Sequence, residues 1–261
     1  MRYPKLVSTV VAVAAAAGIG AGSIGIAVAA SGPEAPAAQT VSSTVPAASG
    51  SDTALFAMAG GPAATALREG SSGPAVKKLQ QQLLDLGYWN TGADGQYGQT
   101  TAQAVMAYQS AAGIDVDGVA GPQTQAALAK KVRPAVRTTS GNAVEIDLGK
   151  QLIKIVENGK LRYTFHTSTG SGQPYGQDGN TYTATTPTGT FTIERGIDGM
   201  RVSKLGELWR PRYFYAGYAI HGSNSIPNYP ASHGCARLSN AAIDFIWSAD
   251  LAPIGRTVLV Y

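Results

Sequence analysis

Polar and apolar positions alternate in two different rhythms along this chain, and the change of rhythm divides it. From Pro74 onward, Val76, Leu79, Leu83 and Leu86 recur at spacings of three and four. That places one apolar stripe on a helix. Pro74 suits a first-turn position, and Gly87 supplies a stop. A second helix is expected with Thr100 or Thr101 as its cap, Val105 and Tyr108 on the inner stripe, and Gly113 at its end. A short third helix follows Pro122 and carries Ala126, Ala127 and Leu128. The turn before each later helix repeats: Asp94-Gly95-Gln96-Tyr97-Gly98 and Asp117-Gly118-Val119-Ala120-Gly121. Residues 67–130 therefore read as a small all-α, three-helix unit with an internal repeat.

Beyond a short linker, 131–140, which opens on the basic joint Lys130–Pro134, the rhythm shortens to two. Asn142–Leu148, Gln151–Val156, Leu161–His166, Thr190–Glu194, Arg212–His221 and Arg256–Tyr261 are strand candidates, and Asn158-Gly159 is a hairpin signal. Ser239–Ala249 has helical spacing through Ala242, Ile243, Ile246 and Trp247, with Ser239 as its cap. Residues 141–261 thus form a mainly β unit, a twisted sheet or sandwich with one packed helix. The Gly/Thr-rich stretch 168–190 reads as a long loop that lines or covers a site.

The first 66 residues follow neither rhythm. Arg2 and Lys5 precede an uncharged run, 6–30, rich in Ala and Gly. Residues 1–30 read as a secretory signal peptide, with small residues around Ala27–Ala30 for cleavage, or as an N-terminal membrane anchor. Either way the remainder is exported, because the leading positive charges favour the inner side. Residues 31–66 are a flexible linker of Ala, Ser, Thr and Pro, with a weak helix around Leu55–Ala59.

Charge narrows the function classes. Lys plus Arg number 20 and Asp plus Glu 16, a net charge of +4 that falls to +2 without Arg2 and Lys5. No basic stripe, zinc-finger spacing or phosphate-binding glycine loop accompanies it, so a nucleic-acid partner is not expected. A single cysteine, Cys235, excludes an internal disulfide.

That cysteine lies in His221-Gly222-Ser223-Asn224-Ser225-Ile226-Pro227-Asn228-Tyr229-Pro230-Ala231-Ser232-His233-Gly234-Cys235-Ala236-Arg237, together with two of the three histidines. An unpaired thiol in an exported protein carries an oxidation risk that packing alone does not justify. A nucleophile does justify it. A thiol needs a nearby base, and imidazole is the natural one near neutral pH. His221 and His233 both qualify by spacing. A zinc hydrolase using His221, His233 and Cys235 as ligands is a rival, but no activating Glu in an H-E-x-x-H frame accompanies them. His166 lies outside the cluster and reads as structural or surface, and Asp178 as a solvated loop acid.

Two resemblances sharpen this reading. Leu67-Arg68-Glu69-Gly70, Val76-Lys77-Lys78-Leu79-Gln80, Leu86-Gly87-Tyr88, the two Asp-Gly loops and Ala107-Tyr108-Gln109 resemble the three-helix peptidoglycan-binding domain. His221-Gly222, Ser232-His233-Gly234-Cys235-Ala236-Arg237, Ser168-Thr169-Gly170 and Thr186-Pro187-Thr188-Gly189-Thr190-Phe191 resemble the L,D-transpeptidase catalytic domain. A sortase-like enzyme fits less well, since its cysteine normally follows Thr-x-Thr.

The second resemblance implies Cys235 as nucleophile and His221 as base, with its other ring nitrogen held by the carbonyl of Gly222. It implies that His233 shapes the substrate region and that the Gly234 and Cys235 N–H groups stabilise the oxyanion. Arg237 would orient the loop or hold a carboxylate, Ser232 would hydrogen-bond the loop beside the substrate, and Tyr218 would reach the same cleft. No cofactor or metal is implied. The expected partners are peptidoglycan stem peptides and glycan strands, with membrane attachment only through residues 6–30, and a monomer is expected. The implied reaction is 3→3 cross-linking through a Cys235 thioester with release of D-Ala. Carboxypeptidase action, attachment of a stem to a protein, and a noncatalytic wall-binding protein are the alternatives.

Overall fold

The computed structural model describes residues 66–261. The expected signal or anchor, and the linker with its weak helix, lie outside the described residues apart from Ala66. Among the described residues no helix is long and apolar enough to cross a membrane.

The helical part holds α1 (Pro74–Asp85), α2 (Gln99–Ala112) and α3 (Pro122–Leu128). Pro74 and Pro122 stand at the starts of α1 and α3, and Gly113 ends α2 in the left-handed conformation at φ 67°. The expected threonine cap of α2 is not used. Gly98 occupies that position, and Thr101 lies inside the helix, where its hydroxyl accepts from Gln80 Nε2 at 3.0 Å.

The repeat has a physical basis in two buried glutamines. Gln80 donates to Asp94 Oδ1, the Gln96 carbonyl and Thr101, and accepts from Gly95 N–H at 2.8 Å. Gln109 donates to Asp117 Oδ1, the Val119 carbonyl and Thr124, and accepts from the N–H groups of Asp117 and Gly118. Each glutamine answers the backbone of one Asp-Gly loop, leaving few groups in it unpaired.

The strand-rich part begins with β1 (Ala143–Asp147), β2 (Leu152–Glu157) and β3 (Lys160–His166), followed by β4 (Pro174–Gln177), β5 (Asn180–Thr183) and β6 (Gly189–Thr192). Next come β7 (Arg195–Gly196), β8 (Met200–Ser203), β9 (Gly206–Tyr215), β10 (Tyr218–Ser223) and β11 (Ala236–Ser239), then α4 (Asn240–Ser248) and β12 (Thr257–Val260). One sheet has the order β3-β2-β1-β12-β6. The other runs β11-β10-β9-β7, with β8 also paired to β9. Only β1–β12 and β10–β11 are parallel among these pairs.

Two expectations change here. Arg212–His221 is not one strand: Ala216, at φ 43°, and Gly217 turn the chain back between β9 and β10. The stretch 168–190 is not wholly loop. Asp178-Gly179 turns β4 into β5, and Tyr175 stacks on its cross-strand partner Tyr182 at 5.7 Å.

The main core lies between the two sheets and α4. Val144, Ile146, Ile153, Ile155, Val258 and Val260 enter it from the first sheet. Phe214, Ile220, Ala236 and Leu238 enter from the second, and Ala242, Ile243 and Ile246 from α4. Burying each large aliphatic chain contributes about 1.5–3 kcal/mol. Ser239 caps α4 as expected, accepting from Ala242 N–H at 3.3 Å.

The helical part docks on the edge strand β3. Gly87 O accepts from Thr164 N–H at 2.7 Å, and Trp89 N–H donates to Thr164 O at 3.0 Å. Trp89 then stacks on Phe245 at 5.3 Å inside the sheet core, while Leu152 of β2 packs into the helical core. The segment 131–140 is fixed as well. Glu145 accepts from the N–H groups of Arg137 and Thr138 at 2.7 Å, and Lys154 Nζ lies 3.1 Å from its other oxygen. Burial works against the Glu145 carboxylate, but hydrogen bonds from Thr138, Tyr261 and Lys154 outweigh it and hold its pKa below the usual range.

Candidate active site

Strand alternation decides which side chains meet. On β10 and β11, Ile220, Ala236 and Leu238 point into the core. Their neighbours His221 and Arg237 must then face the opposite side, and they are direct partners in the parallel ladder. Cys235 stands one residue before β11, beside Ala219 in the continued register. His221, Cys235, Arg237, Tyr218 and His233 all line one cleft of about 730 Å³.

His221 is buried, and its Nδ1 lies 2.8 Å from the Gly222 carbonyl oxygen. A carbonyl only accepts, so Nδ1 carries the proton and Nε2 keeps a lone pair. Burial pushes the imidazole down to about 4. Gly222 has no room for a side chain: a Cβ would meet Asn240 Oδ1 at 2.6 Å and Ile243 Cγ2 at 2.8 Å. Burial also raises the Cys235 thiol, against a backbone hydrogen bond from Ala219 and the charge of Arg237. The thiol points at the Gly217 carbonyl, 3.9 Å away. The resting pair is therefore neutral thiol and neutral imidazole, an arrangement suited to proton removal during attack rather than to a preformed ion pair.

The cysteine loop is held by hydroxyls from distant parts of the chain. Thr186 Oγ1 donates to Gly234 O at 2.7 Å and accepts from Gly170 N–H at 2.9 Å. Ser168 Oγ donates to Tyr229 O and accepts from Ala231 N–H. Ser232 N–H donates to Thr169 O at 2.9 Å. Ser232 Oγ spans its own loop, donating to Cys235 O at 2.6 Å and accepting from Gly234 N–H at 2.9 Å. That last bond revises one expectation: the Gly234 N–H is already engaged and does not point freely at an oxyanion. Gly234 itself sits at φ 135°, where a Cβ would lie 2.5 Å from Tyr218 Cε1 and 2.9 Å from Thr185 O. The Tyr218 ring is thus packed against the loop, and burial raises its phenol pKa.

Arg237 is half-buried in the cleft, where burial lowers the guanidinium pKa. His233 is exposed, with its ring edge-on to Tyr175 at 4.8 Å. Tyr175 was missed by sequence reasoning, although the Asp178-Gly179 turn flanked by Tyr175 and Tyr182 was a usable hairpin signal. Asp178 is an exposed turn acid, as expected, but it pairs with Lys204 at 2.5 Å and so joins the β4–β5 turn to the β8–β9 turn. His166 stands apart and is buried, not at the surface. Its Nε2 meets Pro227 O at 3.0 Å, and burial lowers its pKa. Among the described residues no group of three His, Cys, Asp or Glu side chains converges as metal ligands, so His221, His233 and Cys235 do not form the zinc set considered above.

Comparison with known proteins agrees with this geometry. Residues 141–260 match the L,D-transpeptidase catalytic domain, and residues 72–128 match the peptidoglycan binding domain. A crystal structure of the L,D-transpeptidase (residues 123–326) from Xylanimonas cellulosilytica is 53% identical, covering 77% of this chain and 100% of that one, with a TM-score of 0.74. The chain belongs to the L,D-transpeptidase family. Shorter stretches are similar to other proteins. An N-acetylmuramoyl-L-alanine amidase of Bacillus licheniformis is 48% identical over 77 residues, 27% of this chain and 21% of that protein. The zinc D-Ala-D-Ala carboxypeptidase of Streptomyces albus G is 52% identical over 62 residues, 22% of this chain and 24% of that protein. The transpeptidase chain thus spans about a quarter or less of the length of these curated relatives.

Proposed function

We propose that this L,D-transpeptidase joins peptidoglycan stems by 3→3 cross-links through a thioester on Cys235. The observation that supports it most is the tautomer of His221. Its Nδ1 proton is directed at the Gly222 carbonyl, so Nε2 keeps a lone pair in the cleft that Cys235 also lines.

In the first step Nε2 takes the Cys235 proton as the sulfur attacks the carbonyl between residue 3 of a tetrapeptide stem and its terminal D-Ala. The C–N bond breaks, the C–S bond forms, and the imidazolium returns its proton to the departing D-Ala amine. In the second step a side-chain amine of a neighbouring stem attacks the thioester; the new C–N bond forms, the C–S bond breaks, and His221 Nε2 passes the amine proton to the departing Cys235 sulfur. The thioester keeps the energy of the broken amide, so no nucleotide is required. The Cys235 N–H serves the developing oxyanion, while Ser232 and Thr186 hold the turn that presents it. His233 and Tyr218 border the stem, and Arg237 holds a carboxylate or the loop. The helical module holds the enzyme against peptidoglycan, and the reaction takes place outside the cytoplasm, where wall substrate is found.

Mass spectrometry of the full chain with a purified stem tetrapeptide tests this. The expected result is a Cys235 acyl adduct, loss of D-Ala and a dimer, all absent from Cys235→Ala. Loss of D-Ala without a dimer would replace cross-linking by trimming. Turnover by Cys235→Ala, or no reaction of the native thiol, would overturn the thioester and leave a wall-binding protein.

A further inference from the structure

The face of the second sheet that carries Cys235 also carries arginines that the two-step reaction does not use. Arg195 of β7 pairs with Tyr213 of β9, and Tyr213 pairs with Ala219 of β10, which lies beside Cys235. Arg195, Tyr213, Ala219 and Cys235 thus form one cross-strand row on one face. Leu208, Tyr213 and Ala219 make a small apolar floor, with Cys235 packed against it. Arg201 of β8 is the register partner of Leu208. The Arg195 guanidinium carbon lies over the Tyr213 ring, 3.6 Å from its centre. Along that row, two strand spacings of about 4.8 Å separate the Tyr213 position, over whose ring that guanidinium lies, from Cys235.

None of Arg195, Arg201 and Arg237 forms an ion pair with a carboxylate among the described residues. Elsewhere on β9 the protein does pair an arginine: Arg210 has Asp198 at 2.7 Å and Asp244 at 2.9 Å. Lys204, also at the cleft, is matched by Asp178. Glu207 is the one acid among the cleft-lining residues. The cleft thus keeps an excess of positive charge that the protein leaves unmatched, beside a floor that an extended peptide can cover. At about 3.4 Å per residue, a peptide running from Cys235 towards Tyr213 spans the gap with about three residues.

We propose that Arg195 and Arg201 select donor stems by charge, binding free carboxylates on the residues preceding the scissile bond and disfavouring stems in which those groups are carboxamides. The inference rests on the reading of Cys235 as the acylated nucleophile. Planar guanidinium forks match carboxylates and lose that match against an amide, which offers one acceptor and no charge.

Two synthetic tetrapeptide donors test it on the full chain. One carries free carboxyl groups at residue 2 and on the diaminodicarboxylic residue 3; the other carries carboxamides at both places. The wild-type enzyme is expected to acylate with the free stem at a kcat/KM about tenfold or more higher, a preference that shrinks as salt rises. In the Arg195→Gln/Arg201→Gln double variant the ratio should fall to within about twofold, mainly through KM, and Arg195→Lys/Arg201→Lys should retain part of it. Equal use of both stems by the wild type, or an unchanged ratio in the glutamine variant, would overturn charge selection while leaving the thioester intact. Failure of both stems to acylate the wild type would remove the thioester reading and this inference together.

Discussion

The Asp-Gly loops of the helical part and the cysteine loop of the sheet part are held by the same device, a buried polar side chain answering loop backbone. They differ in where that side chain comes from. Gln109 reaches a loop 8 to 10 residues away and Gln80 one 14 to 16 residues away. The loop around Cys235 is held by Ser168 from 61 residues away and Thr186 from 48. Local clamps make a small module that closes on itself. Long-range clamps tie a reactive turn to several strands at once, which fixes its geometry and leaves one face open to the cleft.

Changes at the cysteine loop should therefore travel further than changes at the helical loops. The largest effect is expected for Gly234→Ala. Its Cβ would collide with Tyr218 and the Thr185 backbone at a positive φ, so a loss of about 4 kcal/mol is expected, with stem turnover abolished. Urea denaturation and the turnover assay check it, and a stable, active variant would show that the turn is not fixed as described.

Acid should weaken the same region next. His221 titrates at about 4 when folded, against an ordinary value of 6.5. The unfolded chain then binds more protons between those values, so stability is full above 6.5 and falls as pH drops towards 4. The loss is on the order of 3 kcal/mol. Burial of His166 adds to it with the same sign. Denaturation midpoints at pH 7 and pH 4.5 measure the slope, and His221→Gln should flatten it.

Gln109→Leu should cost about 2–3 kcal/mol by stranding the N–H groups of Asp117 and Gly118. Hydrogen exchange should accelerate over residues 117–124 while alkylation of Cys235 keeps its rate. If alkylation changed as well, the two loops would be coupled and the contrast between them lost. Thr186→Val removes one donor and one acceptor from the cysteine loop, for about 1–2 kcal/mol and a severalfold lower kcat. Lys204→Ala breaks only an exposed ion pair and should cost under about 1 kcal/mol.

Much of this was legible in the residues. The 3.6 period of α1, the stops at Gly87 and Gly113 and the Ser239 cap are local properties of backbone and side chain. The linked His-Gly and Ser-His-Gly-Cys-x-Arg segments carried the family resemblance. The β9–β10 turn was not legible, because Ala216 adopts a positive φ that its residue type does not announce. Nor was the committed N–H of Gly234, which depends on where the Ser232 hydroxyl turns. The docking of Trp89 into the sheet core was also hidden, since an aromatic after a helix stop is equally at home in its own module.

The sequence by itself determined the two architectures and the repeated Asp-Gly turns, and it singled out Cys235 as the candidate nucleophile, because each rests on spacing along a few neighbouring residues. Only the tertiary structure decided which histidine shares a ladder with Arg237, that burial lowers the His221 pKa and raises that of Cys235, and that Arg195 and Arg201, without an ion pair among the described residues, share the face of Cys235. Those outcomes follow from burial and strand register, which join residues far apart in the chain and which no local pattern specifies.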